Sequence, residues 1–281
     1  MEITFNNVTY KENVRTPLEK TYLKNFSYTF TSGKVYSIIG DSDSGKEKIG
    51  LLINAVNKPL IGTIKIGKYL NDGKYIKNIN GLRMNVGYLK ENPNEFLFNK
   101  IVKSELEFGL KYFKYKLNKK NIRISEALKL VGLNEEYLKR RIDSLNISEK
   151  KKVSLASILI FNPSVIIIEE PSIFLNYRDN EKLIKLIKLL KDKYNKTIIL
   201  ISKDTNLSYK VSDEIILLNK GSMVYAGNKS ILEDEKVLNN INVDVPEIVK
   251  FINISNKFDA NLTYTSNILD LIKEVYRNAK Q

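Results

Sequence analysis

The chain has 281 residues, 43% hydrophobic and 28% charged, so it can bury a core as about two lobes or one large domain with an appendage, and it is not a disordered chain. It contains no cysteine and no histidine. That excludes disulfides, iron–sulfur clusters, a cysteine nucleophile, a Ser-His-Asp triad and most zinc chemistry, and leaves carboxylates, lysines, tyrosines and backbone dipoles for any catalysis. A net charge of +14 suits an anionic partner such as a nucleotide, a nucleic acid or a membrane surface, although Lys, Asn and Ile saturate the chain as an AT-rich genome would encode.

Short alternating stretches at Ile3–Phe5, Asn25–Phe30 and Lys34–Ile39 read as strands, with Ser32-Gly33 as a turn between the last two. Ile38-Ile39 runs into Gly40. After a loop rich in Gly, Ser and Asp, an apolar-periodic segment from Ile49 to Val56 reads as a helix. A second small strand group follows Pro59, around Gly62–Gly67. From about Ile101 to Arg141 the chain is charged and helix-periodic, and Gly132 stands where a helix places its C-terminal glycine. A strand at Val165–Ile168, a helix at Glu181–Tyr194 and strands at Thr197–Ile201 and Glu214–Asn219 follow. Strand-helix-strand alternation with wholly apolar strands predicts a buried parallel sheet. Past Pro246 the chain reads as an added segment of short helices. No apolar run is long enough to cross a bilayer. Met1–Asn7 lacks the basic and apolar regions of a signal peptide, so the chain is expected in the cytoplasm unless a partner holds it at a membrane.

Gly40-Asp41-Ser42-Asp43-Ser44-Gly45-Lys46 fits G-x-x-x-x-G-K, with the strand before and the helix after that this phosphate loop requires. Its glycines let backbone N–H groups turn inward. The helix N-terminus adds a positive dipole end, and Lys46 adds a point charge for the phosphates. Glu47 stands where a Ser or Thr hydroxyl would hold Mg²⁺. As a hard oxygen donor it can replace that ligand; as an anion it can repel the nucleotide. Asp41 and Asp43 put two more carboxylates in the loop. The expected nucleotide-binding residues are Gly40, Asp41, Ser42, Asp43, Ser44, Gly45, Lys46, Glu47 and Lys48.

With that loop placed, the chain resembles the ATPase of an ABC transporter, and more narrowly the ATP-binding subunits of energy-coupling factor (ECF) transporters, of the second of their two types. The opening Ile3–Tyr10 with Thr16-Pro17-Leu18-Glu19 is similar to that family's N-terminus. Tyr10 is then either the aromatic that stacks on adenine or a half-buried strand tyrosine. Val86–Phe98 is similar to the Q-loop stretch, with Glu91 in place of the Gln that touches Mg²⁺ and water. Leu145-Asn146-Ile147-Ser148-Glu149 occupies the place of the signature Leu-Ser-Gly-Gly-Gln. Val165–Glu170 is similar to the Walker B strand. There Glu169 takes the position of the Mg²⁺-holding Asp, and Glu170 that of the general base. Asn176 stands for the Asp of the D-loop, and Lys203 for the switch His.

The resemblance implies an α/β P-loop ABC ATPase domain over residues 1–235. It would comprise a parallel-sheet RecA-like core, an antiparallel β subdomain and a helical subdomain at about 96–145, with a C-terminal helical extension at 236–281. It implies ATP and Mg²⁺ as cofactors, with Glu170, Lys203 and Glu91 catalytic and Glu47, Glu91 and Glu169 on the metal. It implies a second ECF ATPase paired head-to-tail, a transmembrane coupling subunit and a substrate-binding membrane subunit, at the cytoplasmic face of the membrane. The transported substrate in this family is a vitamin or metal ion, set by another subunit. No nucleic-acid partner is expected, because translation-type ABC proteins carry two ATPase domains in one chain. Phe96, Leu97 and Phe98 are either a surface for the coupling subunit or plain core. The altered Walker A Ser, Q-loop Gln, signature and switch His imply weak turnover at the chain's own site. The other reading is a pseudo-ATPase that serves as a structural half of the same complex.

Overall fold

A computed structural model describes residues 1–115 and 119–278. Residues 116–118, inside the expected helix-periodic stretch, and 279–281, at the end of the expected extension, lie outside the described residues. In chain order the elements are β1 (Ile3–Glu12), β2 (Lys20–Phe30), β3 (Val35–Ile39), α1 (Lys46–Ile53), β4 (Ile61–Ile66), β5 (Tyr69–Asn71), α2 (Ile79–Asn85), β6 (Val86–Leu89), α3 (Val102–Tyr112) and α4 (Lys120–Leu130). Then come α5 (Ile147–Leu159), β7 (Val165–Glu169), α6 (Tyr177–Asp192), β8 (Thr197–Ser202), α7 (Thr205–Val211), β9 (Glu214–Asn219), β10 (Ser222–Asn228), α8 (Glu235–Asn239), α9 (Glu247–Asn256) and α10 (Ile268–Asn278).

Two sheets result. One is antiparallel, in the order β2-β1-β4-β5. The other runs β10-β9-β3-β8-β7-β6; its strands are parallel except β10, which pairs antiparallel with β9. The central strands are apolar throughout because both faces are covered. Their period of two then divides the core. Ile166 and Ile168 of β7 point into a cluster with α3, α4, α5 and α6, while Val165 and Ile167 point into one with α1 and the antiparallel sheet. β9 divides the same way: Ile216 and Leu218 face α1, and Ile215 and Leu217 meet Leu232, Leu238, Val245 and Val249. The chain on both sides of residue 235 therefore shares one core with the sheet. A separate small cluster begins only with Ile252, Leu262 and Leu271.

Helix starts lie earlier than apolar periodicity predicts. Helix α1 begins at Lys46 rather than Ile49, directly from Gly45, which has φ 85°. Helix α6 begins at Tyr177 rather than Glu181 because the Asn176 side chain accepts the Asp179 N–H. Gly132 has φ 78° and follows the last turn of α4, as expected of a helix-ending glycine. Of the three apolar residues at 96–98, Phe96 and Leu97 pack against the core, while Phe98 is 64% exposed. Among the described residues no helix is long and apolar enough to cross a membrane.

Candidate nucleotide site

Strand register brings the sequence-predicted groups to one edge. Ile39 lies beside Ser202, Ile201 beside Glu169, and Ile168 beside Leu89. The loop after β3, Glu169-Glu170 after β7, Lys203 after β8 and Glu91 after β6 thus converge at the carboxyl ends of the parallel strands, where such sheets bind ligands.

The phosphate loop is shaped for close backbone approach. Gly45 has φ 85°, and a Cβ built there would lie 2.0 Å from the Tyr22 carbonyl oxygen. A Cβ on Gly40 would lie 2.4 Å from the Leu218 carbonyl oxygen. Lys46 is buried, its Nζ lying 3.3 Å from the Asp41 carbonyl oxygen and 2.8 Å from Glu47 Oε1. Ser44 Oγ is buried without a hydrogen-bond partner, a donor placed where a phosphate oxygen would satisfy it. The open α1 N-terminus, the glycine cradle, Lys46 and this orphan hydroxyl fit a nucleotide phosphate chain.

The three carboxylates of the loop are each neutralised by a lysine. Glu47 pairs with Lys46. Asp43 pairs with Lys20 at 2.8 Å. Asp41 lies 3.3 Å from Lys203 Nζ, which also donates to Ser42 Oγ at 2.5 Å. The Ser42 backbone N–H, and after it Lys203, holds the Asp41 carboxyl below its ordinary range. Lys203 therefore does two things: its ammonium reaches the phosphate loop, and its backbone N–H donates to Glu170 at 3.1 Å. Replacing Lys203 leaves a bare carboxylate beside the phosphates. Two unit charges about 5 Å apart in a wet site repel by ~1–2 kcal/mol. Lys203→Ala is therefore expected to weaken ATP binding about tenfold at low salt and less at high salt. Asp41→Asn in the same chain is expected to restore most of the loss, as calorimetry in a double-mutant cycle would show.

At the end of β7 the two glutamates part. Glu170 sits at φ 39°, its N–H donating to the Ile201 carbonyl at 2.8 Å. Its carboxylate accepts from Ser202 Oγ at 2.8 Å and from the Lys203 N–H. This is a positioned carboxylate on the loop side of the sheet, the arrangement a general base needs. Glu169 is 8% exposed and accepts the Tyr88 hydroxyl, and burial pushes its carboxyl up from the ordinary range. The Glu91 side chain is exposed, while its backbone N–H faces the Glu169 carboxylate. Glu47, Glu91 and Glu169 are hard oxygen donors of the kind Mg²⁺ takes. Two of them are bound to protein donors, and among the described residues no three His, Cys, Asp or Glu side chains converge as a formed cage.

Tyr10, read as an adenine platform or a strand tyrosine, is turned inward. It lies on the inward face of β1 with Val8, 8% exposed, and its hydroxyl donates to Glu12 Oε1 at 3.0 Å. A ring that stacks on a base needs a free face, and in this arrangement Tyr10 offers little of one. The aromatic beside the phosphate loop is Tyr22, with Lys48 Nζ 4.3 Å and Lys20 Nζ 5.0 Å from its ring centroid. Sequence reading missed Tyr22, Lys20, Tyr88 and Ser202. The positions of Tyr88 and Ser202 at strand ends beside Glu169 and Glu170 are the one signal that could have found two of them.

The signature stretch is a helix start. Asn146 caps α5, accepting the Glu149 N–H at 2.9 Å, while the Glu149 carboxylate accepts the Asn146 N–H at 3.0 Å. Glu149 also accepts the Tyr137 hydroxyl, which holds its carboxyl below the ordinary range. Ser148 donates to Asp179 at 2.8 Å, and Lys152 pairs with the same carboxylate at 2.6 Å. The capping box thus satisfies the Asn146 and Glu149 N–H groups at the start of α5, and the Ser148 hydroxyl is taken by Asp179.

A sequence profile of the family described as "ABC transporter" matches residues 23–173. The energy-coupling factor transporter ATP-binding protein EcfA2 of Staphylococcus epidermidis is 32% identical over 252 residues, which cover 89% of this chain and 88% of that protein. The protein of that name in Staphylococcus aureus is 29% identical over 276 residues, 96% of this chain and 94% of the other. The solved structure of cbiO1 from Clostridium perfringens, part of the ABC transporter complex cbiONQ, matches with a TM-score of 0.72 at 25% identity over 89% of this chain and 98% of that one. A dimeric ATP-binding cassette bound to ADP and Pi shares the fold, with a TM-score of 0.74 at 22% identity over 81% of this chain.

Proposed function

The chain belongs to the ABC transporter ATP-binding family, among the energy-coupling factor transporter ATP-binding proteins, and we propose that it is the ATP-binding subunit of an ECF-type importer. It pairs head-to-tail with a second ATPase at the cytoplasmic face of the membrane. It binds ATP in its own phosphate loop and turns it over weakly. The observation that carries this reading is the coexistence, at one sheet edge, of a shaped loop with a buried Lys46 and a base, Glu170, held by Ser202 and Lys203. Slow turnover follows from Glu169 being held by Tyr88 and from Glu47, Glu91 and Lys203 standing where the family has its Walker A Ser, Q-loop Gln and switch His. Glu47, Glu91 and Glu169 would hold Mg²⁺, which when bound supplies charge neutralisation for the phosphates.

The same reading gives the membrane subunit a seat. Between the sheet and the helical subdomain lies a groove of about 630 Å³ lined by Phe96, Phe98, Phe108, Tyr112 and Phe161. Phe98 meets Phe108 edge to face, with ring centroids 4.5 Å apart. This aromatic, half-open trough suits an amphipathic helix of the coupling subunit.

The test uses the assembled complex. Lys46→Ala here is expected to lower total ATP hydrolysis by less than the matching Lys→Ala change in the partner ATPase. Equal, complete loss from either change would refute weak turnover at this site. A second reading, a pseudo-ATPase serving as a structural half, is favoured by the Tyr88–Glu169 contact and by the internally capped start of α5. It predicts that Lys46→Ala changes nothing.

A further inference from the structure

Lys151 differs from the other lysines around the site. It stands on α5, five residues after the Asn146 cap, and is 4% exposed. Among the described residues its ammonium pairs with no carboxylate, although Glu170 and Glu91 act on it at longer range. It donates instead to the carbonyl oxygens of Glu170 at 2.6 Å and Ile173 at 3.0 Å. These two carbonyls bracket the turn that leads from β7 to α6. Within that turn Glu170 and Phe174 have φ of 39° and 68°, so two residues without glycine's freedom occupy the left-handed region four positions apart. The turn's own hydrogen bonds are few: Ile173 N–H to Glu170 and Leu175 N–H to Ser172. Burying an ammonium without an ion pair costs several kcal/mol, and burial lowers the Lys151 pKa to about 8. A methionine would pack the same stem without that cost. What only the ammonium adds is a pair of donors spanning the strained turn.

Glu170 is therefore gripped from two sides. Strand β8 fixes its N–H and its carboxylate, through Ile201, Ser202 and Lys203. Helix α5 fixes its carbonyl through Lys151. Residues 145–149, which lead into that helix and stand in the place of the family's signature, are what this chain would offer to its partner's nucleotide under head-to-tail pairing. We propose that Lys151 is a positioning residue that ties the start of α5 to the Glu170 turn, so that docking of residues 145–149 on the partner and placement of the base in this chain's own site move together. The coupling rests on the head-to-tail reading; the grip on the turn does not.

Two variants of the full chain test it. Lys151→Met keeps the stem and removes the donors, and Lys151→Arg keeps donors. Hydrogen exchange of the segment 170–176 reads the grip without any ATPase partner. Faster exchange in Lys151→Met, with exchange near the wild-type rate in Lys151→Arg, is expected. Unchanged exchange in a folded Lys151→Met chain overturns the proposal. In the assembled complex, with the partner's own P-loop lysine replaced, Lys151→Met is expected to lower kcat by about tenfold or more, since small misplacement of a catalytic group costs that much. The Kd for ATP should be unchanged and Lys151→Arg should recover most of kcat. Faster exchange with an unchanged kcat also overturns the positioning role. A wild-type complex that does not hydrolyse ATP at this site refutes the proposed function instead, and the exchange experiment still decides the grip.

Discussion

Glu170→Gln, assembled with a partner whose own P-loop lysine is replaced, is expected to lower the remaining ATP turnover by on the order of 100-fold. The same change should leave ATP affinity nearly untouched. Glutamine keeps the size of the side chain and an oxygen for the Ser202 hydroxyl and the Lys203 N–H, which donate at 2.8 and 3.1 Å. It loses only the ability to take a proton from water. The chain holds no histidine, so no imidazole can substitute, and Lys203 is occupied with Asp41 and Ser42. Turnover unchanged by Glu170→Gln would place the base elsewhere. A loss of ATP affinity equal to the loss of rate would mean that Glu170 organises the loop rather than the water.

The second large effect is a gain. Changing Asn146→Ser, Ile147→Gly and Ser148→Gly together is expected to raise hydrolysis at the partner's phosphate loop by on the order of 100-fold, the scale of restored backbone donors to developing charge. The measurement uses Lys46→Ala in this chain so that only the partner's loop can act. The start of α5 is closed by the Asn146–Glu149 capping box and by the Ser148–Asp179 hydrogen bond, and Ile147 adds a branched side chain at the first helical position. Glycines remove that bulk and let backbone N–H groups meet a phosphate. The helix should become less stable by ~1 kcal/mol for each glycine, so a lower melting temperature accompanies the faster rate. No change in rate in a folded chain would mean that residues 145–149 do not face the partner's nucleotide.

What the sequence made legible is what depends on local pattern. The Val165–Ile168 run announced a strand buried on both faces, and the structure uses its two faces for two different cores. The Gly40–Lys46 spacing announced the loop between strand and helix, and Gly45 has the positive φ it needs. Less legible was anything that joins distant residues. Lys203 reaches Asp41 across 162 positions, and no periodicity carries that pairing. The sequence leaves open whether the loop carboxylates repel phosphate or, at Glu47, hold Mg²⁺; in the fold those at 41, 43 and 47 each have a lysine. Lys151 carries no signal in the sequence, because a surface helix and a buried one share the same letters until their neighbours are known. For Tyr10 the motif position and the alternation along β1 point to different roles, and the structure shows it inward with Val8. Glu169 matched its motif position, yet only the fold shows that the Tyr88 hydroxyl lies against it.

This chain's own loop is expected to bind ATP, with Mg²⁺ held by the carboxylates around it. Calorimetric titration of the purified chain with ATP, with and without Mg²⁺, tests it most directly, beside Lys46→Ala as the control. Binding is expected to be stronger with Mg²⁺ than without it and to be lost in Lys46→Ala. No heat of binding at millimolar ATP in a folded wild-type chain, or equal binding by Lys46→Ala, would contradict it and leave the partner's loop as the source of any ATP-driven work.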